Sequence, residues 1–325
     1  MTYTLAVENP DSLTASWESL QHLRWDQVFV LPCWLEAWWR ELGSGCDLYL
    51  CVVREETRVI GIAPLLLKDG RASFIGSPDI CDYLDFVVAP GREQDFFDIL
   101  FDNLSHKGVR RLDLNCLRTD SAALASLVAT ARNRGYEVTY GPEDVSLEID
   151  LPATWEEYLG MLDAKQRGEV KRKLRRLQEA GDIDYRVVAD SEAVPHTLDV
   201  FLRLLRDSRA DKAAFMTTQR ESFFRAIAKN MAEAGLLRFG LLQLNAAPVA
   251  VVMYFDCHNK VYLYNSGYDR RYSSLSVGLL SKVLCIKDSI QRRKETFDFM
   301  KGGEAYKYRL GGREIAIYGC QIALK

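Results

Sequence analysis

Val261-Tyr-Leu-Tyr-Asn-Ser-Gly-Tyr268, followed by Asp269-Arg-Arg-Tyr-Ser-Ser-Leu-Ser-Val-Gly278, is the stretch whose reading decides the fold of this chain. The alternating aromatic run ending in Asn265-Ser266 reads as a strand, and the polar, small-residue loop after it opens a helix from about Ser276 to Arg292. A helix N-terminus offers unpaired N–H groups and the positive end of a dipole. Ser273, Ser274 and Ser276 add hydroxyl donors, and Arg270 and Arg271 add fixed charge suited to phosphates. Val277 and Gly278 begin the helix, and the glycine admits close approach of a ligand or strand. An ordinary serine-capped turn has the same pattern, and spacing does not separate the two.

Past the helix, the strand Thr296-Phe-Asp-Phe299 runs into Met300-Lys-Gly-Gly-Glu-Ala-Tyr-Lys307. Asp298 lies between two phenylalanines and points away from their face. If that face is an open cleft, Asp298 is a base or orients one, Glu304 accepts a proton from an amine, and Tyr306 or Lys307 donates one to a leaving thiolate. In the alternative, Asp298 and Lys307 are a structural ion pair and Tyr306 is core. Tyr264 and Asn265, at the end of the aromatic strand, are candidate substrate contacts.

Working outward, hairpin strands at 237–244 and 249–256 precede the aromatic strand, with helices at about 192–209 and 218–234 before them and a pair of strands within 314–324 at the end. The N-terminal half begins with a helix over 29–42 carrying Trp34, Trp38 and Trp39. A hairpin at 47–53 and 59–66 and short strands at 72–76 and 83–88 follow. Helices at 93–105 and 121–134 flank a strand at 111–115, and further strands lie near Tyr136 and Val145. In both halves a hairpin precedes a strand, a helix and another strand, a repeat of element order without a repeat of sequence. The expected class is α/β (α+β), with two units, 1–150 and 151–325, each a mixed, mostly antiparallel sheet flanked by helices. Thr154 and Glu157 form a capping box that opens a helix expected to reach Ala180. Its cationic side, Lys165, Arg167, Lys171, Arg172, Arg175 and Arg176, is either a solvated face or a surface for the phosphates of CoA, a nucleotide sugar or tRNA.

The chain has 325 residues, 48% of them apolar, with 42 basic against 45 acidic side chains. That balance argues against wrapping DNA. The N-terminus lacks a secretory leader, and no apolar run approaches the ~20 residues of a membrane span. A soluble, cytoplasmic protein is expected. Its eight cysteines form no CxxC pair and its four histidines do not cluster, so neither disulfides nor a metal is expected.

These residues resemble the C-terminal GNAT (N-acetyltransferase) unit of the CelD/BcsL-type acetyltransferases, a bacterial group related to the Fem peptidyltransferases. The shared pattern is the aromatic strand Tyr262-Leu-Tyr264, Tyr268-Asp269, Ser274-Leu-Ser-Val-Gly278, Phe297-Asp-Phe299 and Gly302-Gly-Glu-Ala-Tyr-Lys307. One departure is Leu275-Ser-Val277, where the family usually has Ser-Pro-Gly. Phe29, Trp34 to Trp39, Gly61-Ile-Ala-Pro-Leu65 and Asp82-Tyr-Leu-Asp85 extend the likeness into the first half. The resemblance implies tandem GNAT units, with an acyl-CoA such as acetyl-CoA bound by the second. Pantetheine would lie between two splayed strands and pyrophosphate near Ser276. It implies acyl transfer to an amine or hydroxyl of a saccharide or peptide acceptor in exopolysaccharide, cellulose or envelope biosynthesis. The alternatives are a Fem-like transferase using aminoacyl-tRNA, which the charge balance disfavours, and a non-catalytic GNAT-fold module. Tyr83 and Asp85 are the candidates for acceptor recognition. Trp34 and Trp38 read as core.

Overall fold

The structure, a computed structural model, describes residues 2–324. Backbone contacts divide it into two units, Met1–Val145 with Ile315–Lys325, and Ser146–Glu314.

In the first unit β1 (Tyr3–Glu8), β2 (Asp47–Glu55) and β3 (Arg58–Lys68) form an antiparallel set, with the short β4 (Arg71–Phe74) and β5 (Val87–Val88) both paired to β3. β6 (Arg111–Arg118) runs parallel to β4, and the chain's last strand, β13 (Arg313–Ala323), lies antiparallel to β6. β7 (Glu137–Asp150) completes the order β1-β2-β3-β4-β6-β13-β7. The helices are α1 (Pro10–Ala15), α2 (Trp17–Leu20), α3 (Pro32–Leu42), α4 (Glu93–His106) and α5 (Val128–Asn133). β3 is buried along most of its length and β2 through its centre, Tyr49 to Val53, as continuous apolar runs require when both faces are covered. Gly61 is needed there, because a Cβ would lie 2.3 Å from the Phe96 ring of α4. Trp34 and Trp38 are core, as expected.

In the second unit the order is β7-β12-β11-β10-β9-β8: β8 (Ile183–Val188), β9 (Leu237–Leu244), β10 (Ala247–Cys257), β11 (Lys260–Tyr268) and β12 (Thr296–Lys301), with the last five residues of β7 at one edge. All pairs are antiparallel except β11 with β12. The helices are α6 (Trp155–Met161), α7 (Ala164–Glu179), α8 (Val194–Ser208), α9 (Ala210–Phe215), α10 (Thr218–Glu233), α11 (Val277–Gln291) and α12 (Ala305–Arg309). β11 packs directly on α8: a Cβ on Gly267 would come within 2.3 Å of the Leu205 backbone.

The architecture is the expected mixed α/β one, and the order hairpin, strand, helix, strand recurs in both units. Several local expectations differ: the strands expected near Tyr136 and Val145 are the single β7, and of the strand expected over 83–88 only β5 forms. The capping box of Thr154 and Glu157 forms, but the helix it opens stops at Met161, where Leu162 turns extended and Asp163 starts α7 by accepting the Gln166 N–H. The expected pair of strands at the C-terminus is the single β13. That strand pairs with β6 in the first unit, where the sequence places it with the second half.

Candidate functional site

β11 and β12 pair over three residues only, Lys260–Tyr262 against Thr296–Asp298. Past that point β11 stays with β10 as far as Tyr268, while β12 bulges between Asp298 and Lys301, with Met300 in the left-handed region at φ 67°. Two parallel strands that part in this way leave an open edge on each. On β11 the Ser266 carbonyl is met by the Lys212 ammonium at 2.5 Å. At the end of β12 and just past it, the carbonyls of Met300, Lys301 and Gly302 all accept from the Lys307 ammonium, at 3.0, 2.7 and 2.9 Å.

A cavity of about 420 Å³ opens here. Ser266 and Tyr268 of β11 form one wall, Ser273 and the start of α11 from Ser276 to Leu279 another, and Lys282 of α11, Arg209, Lys212, Glu304 and Tyr306 complete it. Ser276 takes a left-handed conformation at φ 58° to turn the chain into α11, so the first amides of a fifteen-residue helix stand at the cavity wall. Gly278 is required by close packing, since a Cβ would meet the Tyr268 ring at 2.7 Å.

The cavity is cationic. Lys282 donates to the Gly278 carbonyl at 2.8 Å and lies over the Tyr306 ring, 5.2 Å from its centre. Burial, then the charge of Lys212, lowers its pKa to about 7. Lys212 also donates to Asn265 Oδ1 at 3.0 Å, and burial followed by Arg209 lowers its pKa to about 8. Burial raises the pKa of the Tyr306 hydroxyl, which therefore stays protonated at neutral pH. On the other side of Tyr306 a second cavity of about 350 Å³ is lined by Lys165, Glu169 and Lys173 of α7 and by Arg309.

Of the residues singled out in the sequence, Ser273, Ser276, Val277, Gly278, Glu304 and Tyr306 meet in this cavity. Asn265 reaches it through Lys212. Lys307 is buried beneath it, paired with Glu304 at 2.8 Å. Others are placed elsewhere. Asp298 is fully buried, ion-paired with Lys260 at 2.9 Å and accepting the Met300 N–H at 2.8 Å, so its carboxylate holds the bulge of β12 and does not line the cavity. The alternative of a structural Asp298–Lys307 pair is met in changed form, as two separate pairs, Asp298 with Lys260 and Lys307 with Glu304. Arg271 is turned onto Asp269 at 2.7 Å. Arg270 and Ser274 are exposed outside the cavity lining. Tyr264 stacks on Phe224 and lies tilted against Phe255.

In the first unit, Tyr83 is wholly buried, edge-on to Phe29 and under the Arg118 guanidinium, which leaves it no surface for an acceptor. The Asp85 carboxylate accepts the amides of Ala122 and Ala123 at 2.7 and 3.1 Å. Its pKa is raised to about 7, chiefly by burial, against the opposing pull of those two bonds. β4 and β6 also pair over three residues before a bulge with Cys116 at φ 60°. There, however, the chain itself fills the opening: Leu84 donates to the Cys116 carbonyl at 3.0 Å. Among the described residues no group of three or more His, Cys, Asp or Glu could hold a metal ion.

Arg209, Lys212, Ser266 and Lys282 were not legible as site residues. Lys282 had a signal, as a lone charge inside the apolar run Leu279-Leu-Ser-Lys-Val-Leu-Cys-Ile286. Lys212 had none.

Residues 164–308 match the family model of the acetyltransferase (GNAT) domain. No curated protein sequence matches the chain. Among solved structures, that of FemX is similar at a TM-score of 0.64 and 12% identity, covering 97% of this chain and 96% of that one. A conserved protein of unknown function from Bacteroides thetaiotaomicron is similar at 0.63 and 12%, covering 99% and 100%. L-PGS from Bacillus licheniformis is similar at 0.56 and 10%, covering 90% of each. At these identities the likeness is one of fold. The fold is GNAT-like, and the matched segment contains the whole cavity.

Proposed function

We propose that the second unit is an acyltransferase that moves an acyl group from acyl-CoA to an amine or hydroxyl. The observation that carries this reading is the cavity itself. It lies where two parallel strands part, at the start of a fifteen-residue helix, and contains a carboxylate and a protonated phenol. In this reading the amides of Val277 and Gly278, with Ser273 and Ser276, receive the pyrophosphate of the donor. The open edge of β11 receives its pantetheine arm. The nucleophile attacks the thioester carbonyl, Glu304 accepts its proton, and Tyr306 gives a proton to the departing sulfur as the C–S bond breaks. Asp298 takes no part. The acceptor we favour is a saccharide or peptide of envelope or exopolysaccharide synthesis, in the manner of the CelD/BcsL-type group, and the place of action is the cytoplasm; no helix of the described residues is long and apolar enough to cross a membrane.

A second reading, transfer from aminoacyl-tRNA, is supported by the exposed basic face of α7, whose Lys165 and Lys173 line the cavity beside Tyr306. The two are separated by following release of free thiol from acetyl-CoA with a panel of amines and amino sugars, in parallel with transfer from charged tRNA. Thiol release that Tyr306→Phe abolishes supports the first reading. Transfer from tRNA alone replaces it, and neither reaction leaves a non-catalytic module.

A further inference from the structure

The four cations at or beneath the cavity divide two and two in how their charge is met. Arg209 is paired with Asp211 at 2.8 Å, and Lys307, beneath the cavity, with Glu304. Lys212 and Lys282 have no carboxylate at ion-pair distance among the described residues. Each is held in place by neutral oxygens: Lys212 by Asn265 Oδ1 and the Ser266 carbonyl, Lys282 by the Gly278 carbonyl. An ammonium has three N–H donors. Lys212 therefore keeps one and Lys282 two for something outside the protein, and both line the same cavity. Two neighbouring like charges in a partly buried site repel, and their carbonyl partners do not cancel that repulsion. Glu304, in the same lining but beyond ion-pair distance, offsets that repulsion only in part, so in the empty cavity Lys282 is only partly protonated near neutral pH, and an anion between the two would hold both in the charged form.

We infer that Lys212 and Lys282 form a carboxylate-binding subsite, taking a substrate that carries a carboxylate close to its reacting carbon. This rests on the acyltransferase reading of the second unit and narrows its substrate. The subsite adjoins the helix start that would take phosphates: the Lys282 backbone is one turn beyond Gly278, but its ammonium folds back onto the Gly278 carbonyl at 2.8 Å. Lys212 sits on the open edge of β11, inside the wedge where the reacting end of a donor would lie. Two ammonium groups suit the two oxygens of one carboxylate, and they repel a bare cationic amine. Acetyl groups leave both lysines unmet. A dicarboxylic acyl group such as succinyl meets them, and so does an acceptor with a carboxylate beside its amine.

The test compares binding by calorimetry in two arms, on the full chain and on Lys282→Met and Lys212→Met. One arm compares succinyl-CoA with acetyl-CoA. The other compares glutamate with glutamate diamide, at saturating acetyl-CoA. A charge-assisted contact of this kind gives at least about tenfold preference for the carboxylate. Such a preference in one arm, falling to within about threefold of unity in both variants, supports the subsite and identifies which substrate fills it. No preference in either arm, or one that persists in both variants, overturns it. If no acyl-CoA binds, the acyltransferase reading itself fails, and this inference with it. Melting curves establish that each variant is folded, and replacing an unpaired cation by methionine does not remove an ion pair.

Discussion

Lys307 and Glu304 are joined at 2.8 Å across one turn, and the pair is lopsided: the lysine is buried while the glutamate side chain is 54% exposed. The ammonium also ties down three consecutive carbonyls, Met300 to Gly302. Lys307 is therefore the clamp that shapes the loop after β12, and Glu304 is the end of it presented to the cavity.

Lys307→Met should destabilise the protein by about 2–3 kcal/mol in urea unfolding, because it orphans several buried carbonyls at once. A Lys307→Met variant with unchanged stability and weaker donor binding would instead make the lysine a ligand-binding group.

Asp298→Asn should also act on stability. The change leaves Lys260 facing a neutral amide, and disrupting a buried pair costs about 3–5 kcal/mol when the charge left behind is also buried. Lys260 is partly exposed and keeps Glu148 at 3.1 Å, so a smaller cost of about 1–2 kcal/mol is expected. Turnover per folded molecule should stay within about threefold of the parent. A loss of a hundredfold or more in kcat with unchanged melting would restore Asp298 to the chemistry.

The contrast between these two residues and the lysines of the cavity explains what was legible in the sequence. Element type followed from periodicity, and the helix start at Ser276 to Gly278 followed from its small residues before an apolar helix. For Asp298 in Phe-Asp-Phe both a cleft-facing base and a structural ion pair fit the sequence, because alternation assigns it a face but does not say which face is open. The bulge at Met300 and the partner Lys260, distant in sequence, decide that. Lys212 lies on a six-residue helix with no apolar stripe to orient it, and its place on the edge of β11 is a tertiary fact. The break at Leu162 was written as Asp163, a good N-cap, but it was hidden within a run of plausible helical spacing.

The depressed pKa of Lys282 makes stability depend on pH with a definite sign. The unfolded chain holds that proton up to the ordinary lysine range, near 10.5, whereas the folded chain releases it from about 7, through burial and then the charge of Lys212. Between those values the unfolded state binds more protons, so this group makes stability rise with pH. Lys212 acts in the same direction from about 8. The charged groups acting on Lys282 also include Glu304 and Lys307. Urea unfolding of the parent and of Lys282→Met at pH 7 to 10 checks this: the parent should gain stability relative to the variant as pH rises, and a constant difference would refute it.

Asp85 provides the opposite sign in the first unit. Its pKa, raised by burial to about 7, means that the folded state holds a proton the unfolded state loses near 4, so this group makes stability fall as pH rises across that window. Asp85→Asn should flatten that part of the profile. Asp85→Ala should cost about 1 kcal/mol for the lost acceptor of the Ala122 and Ala123 amides.

The most direct test of the central claim is a thermal-shift titration of the full chain with acetyl-CoA and succinyl-CoA, beside Gly278→Val. A ligand at a hundredfold its Kd stabilises the folded state by about 2.7 kcal/mol, which for units of this size is roughly 5 °C or more in Tm. The account predicts that shift for the parent with at least one of the two thioesters. It predicts no shift for Gly278→Val, whose side chain would intrude on the Tyr268 ring and the helix start. A parent protein that no acyl-CoA stabilises, or a Gly278→Val variant that shifts as the parent does, would contradict it.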